Sequence, residues 1–145
     1  MTQDFQIAAF AGDGVGHEVT PVAKTILDAA AARCGFALKY QDLQGGAQCW
    51  RDTGHEIPPA DYEAAGKADA ILLAAMGLPD IRYNDGREIT PQISIRFHFD
   101  LYAGVRNVIA ILVVLVLQVT RDNGLRERVG WCQEGGDEDH RSDRE

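Results

Sequence analysis

The sequence predicts an α/β fold with a mostly parallel sheet and flanking helices, on two observations. Apolar segments of strand length alternate with segments of helical periodicity, in the order β-α-β-α-β. The first apolar segment also ends in a glycine-rich loop, residues 12–16, that leads directly into a helical pattern. Ligands of such sheets bind where loops leave the carboxyl ends of strands, so this loop is the first candidate site.

The first three elements follow from local patterns. Residues 5–11 are predicted to form a buried strand because apolar residues dominate there. Residues 18–33 are predicted to form a helix because their apolar residues recur at helical spacing, and Gly35 is expected to end it. Residues 36–43 are predicted to form a half-buried strand because large apolar residues alternate along them.

The next elements are shorter. Helices are predicted at residues 47–53 and 62–67, with a proline-containing turn between them. The continuous apolar segment at residues 69–75 predicts another buried strand. Residues 78–90 carry several turn signals and are expected to form a loop, and helical spacing returns over residues 93–105.

Composition narrows the class of protein. The chain has 145 residues, of which 46% are hydrophobic, and this suits one domain with a substantial core. Its formal net charge of −8 argues against a nucleic-acid partner, because phosphate binding needs a basic face. The longest apolar run, residues 108–117, is too short to span a bilayer. With no secretory signal pattern at the start, the expected location is the cytoplasm.

The glycine loop by itself leaves alternatives open. A dinucleotide fingerprint needs a third glycine three residues after its second, but the residue three after Gly14 is His17. An ordinary strand-to-helix turn also fits, because Gly-Asp-Gly is a common turn sequence.

Four segments together resemble one family. Residues 12–19 read GDGVGHEV, residues 68–79 read ADAILLAAMGLP, Ile95 precedes Arg96, and residues 100–106 read DLYAGVR. This order of motifs resembles the isocitrate/isopropylmalate dehydrogenases over about residues 5–108. The resemblance implies the N-terminal part of the first domain of that fold, in incomplete form.

The resemblance implies an activity. Members of the family oxidise a 2-hydroxy acid with NAD or NADP and then release its β-carboxylate, with Mg²⁺ or Mn²⁺ stabilising the enolate. The substrate is expected to be a di- or tricarboxylic acid such as 3-isopropylmalate, with isocitrate, tartrate and malate also compatible. Arg96 and Arg106 match arginines that bind its carboxylates. Six residues match the loop that lies against the cofactor: Ala74, Ala75, Met76, Gly77, Leu78 and Pro79.

Other family residues have no counterpart here. The catalytic tyrosine and lysine, a third arginine and the metal-binding aspartates belong to later sequence, so no catalytic or metal-binding residue is assigned in this chain. Without the resemblance, Arg96 and Arg106 are better interpreted as surface residues paired to neighbours such as Asp100. Gln92 departs from the family, whose isocitrate enzymes carry Asn there and whose isopropylmalate enzymes carry an apolar residue. The choice of substrate therefore stays open.

The end of the chain differs in composition from residues 1–108. Residues 1–108 are expected to form a partial first domain, residues 109–129 an apolar and then mixed segment, and residues 130–145 a disordered acidic tail. Residues from about 107 onward are not expected to continue the family sequence. The sequence thus predicts a truncated, inactive dehydrogenase that aggregates or pairs with a paralogue, since family members form homodimers. The alternatives are a dicarboxylate-binding module or a non-catalytic pseudo-subunit of a full-length paralogue.

Overall fold

The computed structural model describes residues 3–101, 103–106 and 116–119. Helices and strands alternate along most of this part of the chain, as the periodicity predicts. In chain order they are β1 (Gln3–Phe10), α1 (Gly16–Cys34), β2 (Phe36–Leu43), α2 (Ala47–Thr53), α3 (Pro59–Lys67), β3 (Ala70–Leu73), α4 (Pro91–His98), β4 (Ala103–Arg106) and β5 (Val116–Val119).

The described strands form one sheet in the order β2-β1-β3-β5-β4. Strand β1 pairs in parallel with both β2 and β3. Strand β5 pairs antiparallel with β3 and with β4, so β4 runs in the same direction as the first three strands. The predicted α/β class with a mostly parallel sheet is confirmed.

The core lies on both faces of β1 and β3, because alternate residues of each strand point to opposite sides. On one face, Phe10, Ile71 and Leu73 pack with side chains from the helical layer that include Ile95. On the other face, residues of the same strands pack with partly buried side chains of α1 and β2 such as Leu27.

Helix α1 follows the prediction and ends where expected. Gly35 adopts the left-handed conformation, with φ of 78°, and its N–H bonds back to the last turn. The apolar residues of α1 divide between two environments, however. Ala23 is buried, whereas Val22 and Ile26 keep 56% and 64% of their surface exposed.

The predicted helix over residues 93–105 is wrong in its second half. Helix α4 ends at His98, and β4 begins at Ala103. Asp100 has φ of 47°, and the N–H of Leu101 bonds to the carbonyl oxygen of Arg96. This is a Schellman arrangement with Asp at the position that glycine usually occupies, so the sequence carried no glycine signal for the helix end.

Several expectations fall on residues outside the described ones. They concern most of the apolar run at residues 108–117, of which only Val116 and Leu117 are described, in β5, and the acidic tail at residues 130–145. Among the described residues, none of the helices is long and apolar enough to cross a membrane.

Candidate functional site

The loops that follow β1 and β3 meet at the carboxyl edge of the sheet. Ala74 donates its N–H to the carbonyl oxygen of Phe10 at 3.0 Å, and Asp13 donates its N–H to that of Ala75 at 2.8 Å. These bonds hold the glycine loop beside residues 74–79, the loop expected to face the cofactor. The structure therefore joins two of the sequence motifs into one site.

Asp13 links this site to the start of α2. Its side chain is only 2% exposed. The Oδ2 atom accepts N–H bonds from Ala47 and Gly77, both at 2.7 Å, and Oδ1 accepts one from Gln48 at 3.0 Å. Two of these donors belong to the first turn of α2, whose N–H groups have no partner within the helix. Sequence reasoning missed this role, because helix caps are sought next to the helix and Asp13 lies 34 residues before Ala47.

Two glycines make room for these contacts. A Cβ at Gly12, where φ is 69°, would lie 2.1 Å from the carbonyl oxygen of Ala75. A Cβ at Gly46, where φ is 137°, would lie 2.4 Å from Oδ2 of Asp13. Both positions therefore require glycine on steric and on conformational grounds. Gly12 and Gly46 thus allow close packing of the backbone and of the Asp13 carboxylate.

A small cavity lies between residues 76–79 and the segment that leads into α4. Its volume is about 190 Å³. Met76, Gly77, Leu78 and Pro79 form one side, and residues 88–90 and Gln92 form the other. Among the residues that the structure describes, none donates a hydrogen bond to the buried Oε1 of Gln92. Such an atom is costly unless something else bonds to it.

A second cavity, of about 290 Å³, lies between the glycine loop and α2. It is lined partly by polar groups, including His17, Gln48 and Cys49. Burial raises the pKa of the Cys49 thiol above its usual range. Cys49 therefore stays protonated at neutral pH, which does not favour a nucleophilic role.

The two expected substrate arginines lie on different elements. Arg96 is exposed on α4 and has no carboxylate within ion-pair distance in the described part of the chain. Arg106 is the last residue of β4, and its backbone pairs with Val116, the residue that also pairs with Leu73. Arg106 thus lies at the same edge of the sheet as residues 74–79. That the two guanidinium groups converge on one carboxylic acid stays a prediction.

An acidic and aromatic cluster anchors the loop at residues 78–90. Glu56 accepts hydrogen bonds from the hydroxyl groups of Tyr62 and Tyr83, and the ring of Tyr83 packs edge-on against Trp50 at 4.9 Å. Burial and the Glu56 charge raise the pKa of Tyr62 to about 12 and also raise that of Tyr83. Sequence reasoning missed this cluster, because its members come from separate segments of the chain.

The fit of a metal ion can be tested directly. Within residues 3–101, 103–106 and 116–119, no group of three His, Cys, Asp or Glu side chains has the geometry to hold a metal. The described part of the chain therefore does not fit the Mg²⁺ or Mn²⁺ that the resemblance implies.

Comparisons with known proteins agree on the family. The model of the isocitrate/isopropylmalate dehydrogenase family matches residues 6–129, which extends past the motifs quoted above. The chain is 37% identical over 108 residues to a 3-isopropylmalate dehydrogenase of Synechococcus sp. strain JA-3-3Ab, covering 72% of this chain and 28% of that protein. It is 38% identical over 109 residues to one of Symbiobacterium thermophilum, covering 72% and 29%. The chain thus spans less than a third of these relatives.

A solved structure agrees on the fold. The apo crystal structure of a beta-decarboxylating dehydrogenase from Thermococcus kodakarensis superposes with a TM-score of 0.54 at 21% identity. The match covers 84% of this chain and 42% of that one. From the family match over most of its length, we conclude that the chain belongs to the isocitrate/isopropylmalate dehydrogenase family.

Proposed function

We propose that this chain supplies the substrate-carboxylate and nicotinamide side of a dehydrogenase that oxidises and decarboxylates a 2-hydroxy acid. One observation carries the proposal. The cavity beside residues 76–79 lies at the start of α4, and Arg96 follows Gln92 by about one helical turn. A cationic group, a buried acceptor and an apolar loop are therefore close together at one edge of the sheet.

The cavity suits one end of a nicotinamide cofactor. Its volume of about 190 Å³ is below that of typical small-molecule pockets, so it suits a single ring better than a whole dinucleotide. Met76 and Leu78 offer apolar surface for such a ring, and Gly77 adds no side chain that would fill the space. When bound, NAD or NADP would accept the hydride of the substrate. No step is assigned to a metal, because the described residues do not fit one.

Arg96 supports an acidic substrate. Its planar guanidinium can bind a carboxylate through two parallel hydrogen bonds, and it is exposed without a competing ion pair among the described residues. Arg106, at the end of β4, is proposed to bind the second carboxylate. Together they would orient a dicarboxylate for loss of its hydride.

Gln92 supports a substrate with a polar substituent. Its buried Oε1 is an acceptor, and a hydroxyl group of the substrate would supply the missing hydrogen bond. An isopropyl group would leave that acceptor unpaired, and sites built for a hydrogen bond discriminate strongly against analogues that lack it. We therefore place tartrate, which carries a second hydroxyl group, ahead of malate and 3-isopropylmalate as the substrate.

Calorimetric titration of the 145-residue chain tests this function. L-tartrate is expected to bind, malate and 3-isopropylmalate are expected to bind more weakly, and Arg96→Ala is expected to weaken tartrate binding about tenfold or more. Arg33→Ala is the control, because Arg33 is also an exposed helical arginine but lies in the last turn of α1. Heat for none of the acids, or equal loss in both variants, would contradict the proposal.

Association with a longer paralogue is a second candidate. Two large apolar side chains one turn apart on α4, Ile93 and Phe97, expose 47% and 84% of their surface. Exposure of this kind favours a protein partner. Co-purification with a full-length paralogue that Phe97→Glu abolishes would support this function, and a monomeric chain in the presence of that paralogue would oppose it.

A further inference from the structure

We propose that Asp13 is a positioning residue that fixes residues 74–79, the loop expected to face the cofactor, to the first turn of α2. This inference deepens the proposed function and rests on it for the role of the loop. Asp13 itself does not line the cavity beside Met76 and Gln92. It acts on that cavity through Gly77, which does.

Backbone and side chain of Asp13 hold the loop at two points. The N–H of Asp13 bonds to the carbonyl oxygen of Ala75, and its Oδ2 accepts the N–H of Gly77. Two bonds on either side of Met76 fix both the position and the direction of this segment. Gly77 has φ of 100°. Because glycine adopts many backbone conformations, its own preference would not keep the loop in this one without the hydrogen bonds.

The same carboxylate also fixes the loop to a third element. Oδ2 accepts the N–H of Ala47 in addition to that of Gly77, and Oδ1 accepts that of Gln48. Only a carboxylate offers acceptors on both oxygens, because an amide replaces one oxygen with a donor. Asn at position 13 has nearly the same shape but would direct an NH₂ group at one or two of these N–H groups.

The surroundings leave Asp13 little freedom. Beside the carboxylate lies Gly46, where a Cβ would approach Oδ2 to 2.4 Å. The carboxylate of Asp13 therefore fits in this position only because Gly46, which belongs to a different loop, has no side chain. A substitution at Gly46 that displaces the carboxylate should therefore affect the Gly77 amide in the same way as a substitution at Asp13.

Amide hydrogen exchange by NMR on the full 145-residue chain tests the geometry. In Asp13→Asn, exchange of the Gly77 and Ala47 amides is expected to accelerate about tenfold, because either orientation of the Asn amide replaces their charged acceptor, with a neutral oxygen or with an NH₂ group. Asp69→Asn is the matched control. Asp69 also accepts a backbone N–H bond, from Gln6 at 2.8 Å. Its substitution is expected to accelerate exchange of the Gln6 amide and to leave that of Gly77 unchanged.

Binding of NAD, followed in the same spectra, tests the positioning role. Asp13→Asn is expected to weaken NAD binding at least fivefold. Asp69→Asn is expected to leave NAD binding unchanged when the two variants are compared at temperatures at which they are folded to the same extent. Gly46→Ala is also expected to weaken NAD binding, because it keeps the charge of Asp13 but adds a Cβ 2.4 Å from the present position of its Oδ2. Equal effects of the Asp13 and Asp69 variants on NAD binding would overturn the positioning role.

The two proposals fail in distinguishable ways. Unchanged Gly77 exchange in Asp13→Asn overturns the positioning inference whether or not NAD binds. Accelerated Gly77 exchange with no NAD binding by the unaltered chain overturns the proposed function, and with it the cofactor role of Asp13. If both variants fail to fold, hydrogen-bond scalar coupling between the Gly77 amide nitrogen and the Asp13 carboxyl carbon in the unaltered chain decides, since its absence overturns the inference.

Discussion

Leu73 and Arg106 pair with the same residue, Val116, from opposite sides of β5. Neighbouring strands lie about 4.8 Å apart, so the backbones of these two residues lie about 10 Å apart at one edge of the sheet. Leu73 ends β3 and leads directly into residues 74–79. This relationship places the backbone of Arg106, the arginine proposed to bind a substrate carboxylate, at the same edge of the sheet from which residues 74–79 leave β3.

Arg106→Ala is expected to weaken tartrate binding about tenfold, as each bidentate guanidinium contact predicts. Combining it with Arg96→Ala should give less than the sum of the two effects in free energy, because one ligand uses both groups. Calorimetry on both single variants and the double variant measures the coupling. Arg51→Ala, which removes an exposed arginine paired with Asp52, should not change tartrate binding. Additive losses would contradict the coupling, because they would show that Arg96 and Arg106 contribute independently.

Gln92→Leu is expected to change selectivity more than stability. Its buried Oε1 has no donor among the described residues, so replacing the amide by an apolar group of similar size removes an unsatisfied acceptor. The unfolding free energy should stay within about 1 kcal/mol of the original or rise. Calorimetric affinity should fall for tartrate and rise for 3-isopropylmalate. Stronger tartrate binding in this variant would refute the assigned role.

Gly12→Ala is expected to destabilise the fold strongly. The new Cβ would meet the Ala75 carbonyl oxygen at 2.1 Å and would also occupy a left-handed backbone conformation. We expect a loss of about 3 kcal/mol or more in urea unfolding, from backbone strain and displacement together. Gly54→Ala is the control, since φ there is 77° but nothing lies within 4 Å. It should cost only about 1–2 kcal/mol.

Ile71→Ala and Ile26→Ala make the same chemical change in opposite environments. Ile71 is fully buried in β3, whereas Ile26 is 64% exposed on α1. The first should lower the unfolding free energy by about 2–5 kcal/mol, because it leaves a cavity. The second should stay within about 0.5 kcal/mol, because it lies on the surface. A large loss at Ile26 in urea unfolding would show that the exposed face of α1 is covered in solution.

Stability is expected to fall at high pH because of the Glu56 cluster. The pKa of Tyr62 is raised from 10.0 to about 12, first by burial and then by the Glu56 charge. The folded chain keeps this proton where the unfolded chain loses it, so the stabilisation is complete below pH 10 and disappears as pH rises toward about 12. Ultraviolet titration of tyrosinate follows the group directly.

Glu56→Gln separates the two causes of that shift. It removes the charge but leaves the burial, so the pKa of Tyr62 should move part of the way back toward its usual value. The Tyr83 pKa should fall as well, because Tyr83 bonds to the same carboxylate. Tyr40, whose pKa is raised by burial and by Asp28, serves as the internal control and should not move.

The sequence by itself determined the fold class and the order of elements from β1 to β3. Strand β2 and helix α2 have the predicted bounds, because their patterns and flanking glycines are local. Gly35 ends α1 as predicted, since glycine alone adopts the left-handed cap without steric cost. The motifs around Gly12, Arg96 and Arg106 also sufficed for the family, which the comparison with known families confirms.

Only the tertiary structure decided which distant groups meet. The Asp13 carboxylate bonds to amides 34 and 64 residues later in the chain, and Glu56 joins Tyr62 and Tyr83 from separate segments. The end of α4 at His98 was also missed, because Asp100 takes a left-handed conformation that its identity only weakly favours. Periodicity reports the burial of one segment, whereas these contacts depend on how several segments pack together.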